Sequence, residues 1–192
     1  MRKKLGLFFY KKSTFILGRG LLGKYLVRKI CGRRISGKII ETEIYYGDSD
    51  EGSHAYPGKT LRNWPMFGLP GRLYVYFIYG MYHCLNIVTE RKNFPAAILI
   101  RALEPKEGIE IMMKNRKMRN LKNLTSGPGK LCEAFGITKR HNNLSLFGNE
   151  IFIEDWLEKI PKIKTSPRIG LSSKISKKAQ QKKWRFYLAP NF

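Results

Sequence analysis

The sequence predicts a mixed α/β (α+β) domain in which a largely antiparallel sheet carries flanking helices. Three observations predict it. Ile40, Thr42 and Ile44 alternate with Glu41, Glu43 and Tyr45, the period of two that a half-buried strand requires. Two apolar runs meet at a Tyr79-Gly80 pair with no helix-length segment between them, so they read as two strands or a hairpin. Helical stretches are too few for the strand–helix–strand rhythm of a parallel sheet.

The elements follow in order. Residues 14–30 carry apolar positions at helical spacing behind Ser13, which predicts a first helix. Residues 37–47, GKIIETEIYYG, read as a strand, and 48–70, rich in Gly and Pro, as a long ordered loop of the kind that carries function. The hairpin covers 73–89, and 96–103 forms a further strand that Pro105 should break. A basic amphipathic helix is expected over 106–120. A second helix is expected within TSGPGKLCEAFGI, capped by Thr125 or Ser126 and stopped by Gly136. NEIFIED and WRFYLA close the list as short strands. At 192 residues, without linker, repeat or low-complexity block, the chain reads as one domain over 1–192 with room for a substantial core.

Composition limits the possible functions. The hydrophobic fraction of 43% is that of a globular protein and excludes wholesale disorder. Against it stand 37 Lys and Arg and only 14 Asp and Glu, a formal net charge of +23. Such a surplus points to a polyanionic partner, nucleic acid before an anionic membrane. No acid occurs before Glu41 or after Glu158, whereas Glu41, Glu43, Asp48, Asp50 and Glu51 crowd into one acidic island. The longest apolar run, 73–88, is shorter than the ~20 residues of a membrane span and includes Tyr, His and Asn. The apolar stretch behind the basic N-terminus is too short for a signal peptide. We therefore expect a soluble monomer, cytoplasmic and associated with the nucleoid if the source is bacterial. Cys31, Cys84 and Cys132 are odd in number and far apart, and read as buried structural thiols.

Three constellations could carry chemistry. On a strand, Glu41, Glu43 and Tyr45 share a face, which suits a general base with an electrostatic neighbour, a metal site, or simply solvated charges on an edge. Asp48, Asp50 and Glu51 imitate part of a calcium loop but lack its glycine and distant glutamate, so no metal and no cofactor is expected. His54 beside these acids reads as a hydrogen-bonded residue before it reads as a ligand. The tyrosines of RLYVYFIYGMYHCLN, residues 72–86, form either a core face or a platform on which bases stack. A Tyr-Gly tip can present an aromatic wedge to a duplex. In TSGPGK, the amides near Ser126 and Gly127 with Lys130 make a plausible cradle for a DNA phosphate, without the spacing of a nucleotide-hydrolysing loop. Two other classes fit the charge: an RNA- or ribosome-associated protein, which the acidic island argues against, and a metal-dependent nuclease built on Glu41, Glu43, Asp48 and Asp50.

The segments LLGKYLVR, ETEIYYGDSDEGSHAYPGKTLRN, MFGLPGRLYVYFIYGMYHCLN, AAILIRALEP, TSGPGKLCEAFGI, SPRIGLS and WRFYL occur in this order over 21–188. As a set they resemble the alkyladenine (3-methyladenine) DNA glycosylases of base-excision repair. The resemblance implies a single compact domain with a curved sheet and a protruding β-hairpin that enters double-stranded DNA. It implies a monofunctional enzyme that flips damaged purines out of the helix and hydrolyses the N-glycosidic bond, leaving an abasic site. The implied substrates are 3-methyladenine, 7-methylguanine and, less directly, hypoxanthine and ethenoadenine. Position by position, Glu43 matches the general base and Arg101 the arginine that helps hold the attacking water. Tyr45, His54 and Tyr76 match the walls that sandwich the flipped base, with His54 also placed to hydrogen-bond it. Asn86 matches the residue that crowds the amino group of normal guanine, and Tyr79 matches the side chain that fills the vacated stack. Lys59 and Leu61 stand where the family pattern has Arg and Pro.

Overall fold

The computed structural model describes residues 2–189. Nine strands form one sheet: β1 (Lys3–Lys4), β2 (Tyr25–Ile30), β3 (Arg33–Tyr46), β4 (Leu73–Ile78), β5 (Tyr82–Val88), β6 (Ala96–Glu107), β7 (Ile151–Asp155), β8 (Ile163–Ser166) and β9 (Arg185–Leu188). Their order is β1-β7-β2-β3-β6-β5-β4, with β9 joined to β3 and β8 to β9, and every pairing is antiparallel. Among the described residues there are also five short α-helices, α1 (Leu7–Tyr10), α2 (Thr14–Gly20), α3 (Ile109–Asn115), α4 (Pro128–Ala134) and α5 (Lys177–Gln181), of which α2, α3 and α4 pack on the sheet. The mixed α/β class and its antiparallel sheet are as the sequence predicts.

Strand β3 organises the molecule. One edge pairs along its length with β6, while the other meets β2 through residues 33–38 and β9 through Glu41, Thr42 and Glu43. The acids of β3 are therefore central rather than edge residues. The main core joins β3 residues Ile35, Ile39 and Ile44 to Leu17, Leu22, Ile100, Phe135 and Ile153, all buried. Removing such branched and aromatic side chains from water is what most favours the folded state.

Four expectations about elements are corrected. The first helix stops at Gly20, and 25–30 is strand β2. Gly23, at φ +80, turns the chain there, and Tyr25 through Arg28 are buried on both faces, a pattern in which helix and strand periods look alike. Pro105 does not end β6, which runs to Glu107. Strand β5 accompanies β6 only as far as Leu99, so Pro105 sits on a free edge where its missing N–H costs no ladder bond. The basic helix shrinks from 106–120 to α3, which starts after a left-handed Gly108. Gly127, not Thr125 or Ser126, precedes α4, because the Thr125 hydroxyl donates instead to the Leu103 carbonyl at 2.6 Å. Cys31, expected buried, is exposed in the β2–β3 turn at φ +47, while Cys84 and Cys132 are buried.

Candidate active site

The site grows from a fault in the ladder between β3 and β6. Ile39 pairs with Leu103, Glu41 with Ala102 and Thr42 with Ile100, so Ile40 on one strand and Arg101 on the other stand unpaired. The two bulges compensate and the register is the same on either side. A bulge re-aims the side chain it carries; here Arg101 Nε donates to Glu41 Oε1 at 2.8 Å and its Nη1 lies 3.4 Å from Glu43 Oε2. Glu41 is also held by Arg185 of β9, which lies beside it.

Glu43 is fully buried. Its Oε1 accepts the backbone N–H of Ile169 at 2.7 Å and its Oε2 the hydroxyl of Tyr45 at 3.0 Å. Burial pushes the Glu43 carboxyl above the ordinary carboxylate range, and Arg101, the Ile169 amide and Tyr45 pull it partly back. A buried carboxylate with two hydrogen-bond donors and an arginine beside it is fixed in orientation.

Tyr45, His54, Tyr76 and Asn86 line one cavity of about 260 Å³. The period of two on β3 puts Tyr45 next to Glu43, and the β4–β5 ladder brings Tyr76 and Asn86 to the same wall. Tyr74, between them, completes the packing: His54 Nδ1 and the Tyr74 hydroxyl are 2.9 Å apart, and Asn86 Nδ2 donates to the Tyr74 carbonyl at 3.1 Å. The rings of His54 and Tyr76 meet edge to face, 4.5 Å between centroids. Burial, with a smaller push from the charge of Arg62, lowers the His54 pKa to about 4, so the imidazole is neutral at neutral pH. Burial also raises the phenols of Tyr45 and Tyr76, which stay protonated. The pocket is thus aromatic and uncharged except for the carboxylate behind Tyr45 and Glu51 on its lining.

A smaller cavity of about 180 Å³ adjoins it through shared Tyr45, Tyr76, Ile78 and Gly170, and is lined by Arg101, Tyr79, Tyr82 and Gly129. Tyr79 is 75% exposed at the hairpin tip. With φ +55 at Tyr79 and +67 at Gly80, and Met81 N–H donating to the Ile78 carbonyl, the tip is a type I′ turn. The start of α4 is packed beside the hairpin, Gly129 against Tyr82. There Ser126 is exposed, Gly127 is extended, and Lys130 Nζ donates to the Ser126 hydroxyl at 3.3 Å. Tyr45, His54, Tyr76 and Asn86 thus line the larger cavity, Arg101 and Tyr79 the smaller one, Glu43 lies buried behind Tyr45, and Ser126, Gly127 and Lys130 stand at the start of α4 beside the hairpin.

The sequence profile of the family described as "Methylpurine-DNA glycosylase" matches residues 8–192. The chain belongs to the methylpurine-DNA glycosylase family. Curated relatives of this glycosylase carry the name "Putative 3-methyladenine DNA glycosylase". One from Chlorobium phaeobacteroides is 47% identical over 99% of this chain and 94% of its own. Another from Clostridium acetobutylicum is 43% identical over 95% and 93%, and a third from Methanocella arvoryzae is 47% identical over 93% and 89%.

The glycosylase pocket also depends on residues that sequence reasoning missed. Arg168 is buried and bidentate to Asp50, Nη1 to Oδ2 at 2.6 Å and Nη2 to Oδ1 at 2.7 Å, and Nη1 donates as well to the Ile44 carbonyl at 3.0 Å. This pair anchors the neighbouring Ile169 amide on Glu43. Glu51 accepts both the N–H and the hydroxyl of Ser176. Asp50 and Glu51 are therefore fasteners for the C-terminal segment, and among the described residues no three His, Cys, Asp or Glu side chains converge to hold a metal. A basic Arg in SPRIGLS opposite an acidic island was the available signal; the backbone donor at Ile169 left none. Among the described residues no helix is long and apolar enough to cross a membrane.

Proposed function

We propose that this DNA glycosylase extrudes an alkylated purine from duplex DNA into the pocket of Tyr45, His54, Tyr76 and Asn86, and that Glu43 activates the water that releases it. The observation that carries the reading is the carboxylate of Glu43, buried and held by Ile169, Tyr45 and Arg101 directly behind the Tyr45 wall of an aromatic cavity. Membership of the family makes the protein a DNA glycosylase and a hydrolase of base-excision repair; the substrates and roles below are our reading.

A purine methylated on a ring nitrogen carries positive charge, so electron-rich ring faces attract it. Extrusion costs a few kcal/mol and least for a damaged, poorly paired base. Tyr79, aimed outward from a type I′ turn, occupies the vacated stack as a wedge. Ser126, Gly127 and Lys130 beside the hairpin contact the DNA backbone. Water, held by Arg101 and Glu43, attacks the anomeric carbon: the new C–O bond forms, the C–N bond breaks with its electron pair going to the base, and the water proton passes to Glu43. The cationic base leaves neutral and needs no acid. A positioned base of this kind contributes ~10²- to 10⁴-fold in rate. No amine is required, so the strand is left with an abasic site and is not nicked. Asn86 beside the base crowds the amino group of normal guanine. Neutral lesions such as hypoxanthine need a proton on the leaving base, and His54 with a pKa of about 4 is scarcely protonated at neutral pH; their release is accordingly slower.

The experiment is single-turnover release of methylated purines from duplex DNA in EDTA, comparing the wild type with Glu43→Gln. The expected outcome is release by the wild type, loss of at least ~100-fold in the variant, and unchanged DNA binding. Chelator-sensitive strand cleavage would point to a nuclease and overturn the reading.

A further inference from the structure

The acidic island holds down a segment rather than a ligand, and the two fastenings differ in kind. At one end Asp50 and Arg168 form a bidentate pair whose side chains are both fully buried. At the other end Glu51 receives Ser176 N–H at 2.7 Å and Ser176 Oγ at 2.6 Å on the exposed surface. Because Asp50 and Glu51 are consecutive, the chain from 168 to 176 leaves and returns to nearly one point, the geometry of a small Ω-loop. Between the fastenings no helix or strand forms. Inside it the bonds are few: Lys174 N–H to the Ser172 hydroxyl at 3.2 Å and Ile175 N–H to the Ser172 carbonyl at 3.5 Å. Yet Gly170, Leu171, Ser172 and Ile175 of this loop line the cavity that also holds Tyr45, His54, Tyr76 and Asn86.

We propose that residues 170–175 are a releasable wall of the base pocket and that Glu51, through Ser176, is a positioning residue that sets how large a purine the pocket admits. Segments with few backbone bonds open at low free energy. The buried Asp50–Arg168 end must stay closed, since opening it would strand a charge in the interior. The Glu51 end can detach into water, and detaching it leaves, among the described residues, only the Gln180 Nε2 bond to the Ile175 carbonyl, 2.9 Å, between this wall and movement away from the cavity. The loop therefore hinges near Gly170, whose φ of +78 and open surroundings leave room to move. The inference rests on the proposed reading of the pocket as a base-binding site.

The test compares single-turnover release of a small methylpurine with that of a purine carrying a fused third ring, in the wild type and three variants. Glu51→Ala breaks the fastening. Ser176→Pro breaks it too while keeping the Glu51 charge, and the local φ of −59 at Ser176 suits proline. Ser176→Thr keeps both donors and serves as the conservative control. The expected result is a tricyclic-to-methyl rate ratio raised by about tenfold in Glu51→Ala and Ser176→Pro, the lower end of what pocket fit discriminates, and unchanged in Ser176→Thr. Faster hydrogen exchange at the amides of Leu171 and Ile175 should accompany it in the two breaking variants. An unchanged ratio, or both rates falling in parallel, would overturn the inference alone. Release of neither base by the wild type would overturn the reading of the pocket and the inference with it.

Discussion

Glu43 shows how one residue's surroundings fix its pH behaviour. Its carboxyl titrates above the ordinary carboxylate range, chiefly through burial, and a general base works only when ionised. Activity should therefore be full above that raised value and fall as the pH drops through it. The acid limb of the single-turnover pH profile is expected above the ordinary glutamate value; a limb at or below that value would contradict the assignment. His54, held neutral down to about pH 4 by burial and Arg62, should add no charge change to the pocket across that limb. It should, however, show in stability. The unfolded imidazole takes up a proton below ~6.5 while the folded one does not, so His54 lowers stability progressively as pH falls from about 6.5. Arg168 offers the sharpest mutational contrast. Replacing it with Met leaves the Asp50 carboxylate buried without a partner, which should cost ~3–5 kcal/mol in denaturant unfolding and release the Ile169 amide from Glu43.

Among the elements, the hairpin tip carries a strained functional choice. A tyrosine at φ +55 occupies left-handed space that costs a non-glycine residue roughly 1–2 kcal/mol. Tyr79→Gly should remove that strain, so the melting temperature should hold or rise, while base release slows for want of the wedge. A variant that melts earlier would show that the exposed ring stabilises the fold instead. The hairpin was legible because alternation and the Tyr-Gly pair are local signals. The shared face of Glu43 and Tyr45 was legible for the same reason. The paired bulges that turn Arg101 between Glu41 and Glu43 were not, because where one strand skips a residue against the other depends on the partner strand. Residues 21–30 failed as a helix because a strand buried on both faces loses its period of two. Pro105 failed as a stop because which edge of β6 is free depends on the length of β5.

At the scale of the whole molecule, charge governs how DNA is met. A formal +23 spread over the surface draws DNA from a distance and makes binding steeply salt-dependent. Lys177 and Lys178, exposed on α5 at the end of the pocket loop, are placed to contribute. Changing both to Ala should reduce the slope of log K against log salt by about 1.8, at ~0.9 per phosphate contact. An unchanged slope would make them merely solvated. The acidic island, which at first stands against this field, is largely tied up internally: Glu41 is paired with two arginines, Asp50 with Arg168, and Glu51 accepts the donors of Ser176. Sequence made the island visible but not its purpose, since Arg168, Ile169, Ser176 and Arg185, which hold it, come from the last quarter of the chain.

The bond between the Ile169 amide and Glu43 spans 126 positions of sequence. On a ribosome adding ~5–20 residues per second, the hairpin, the aromatic box and the carboxylate are all synthesised seconds before the segment that completes them. The Glu43 carboxylate therefore gains its backbone donor only in the closing stretch of translation.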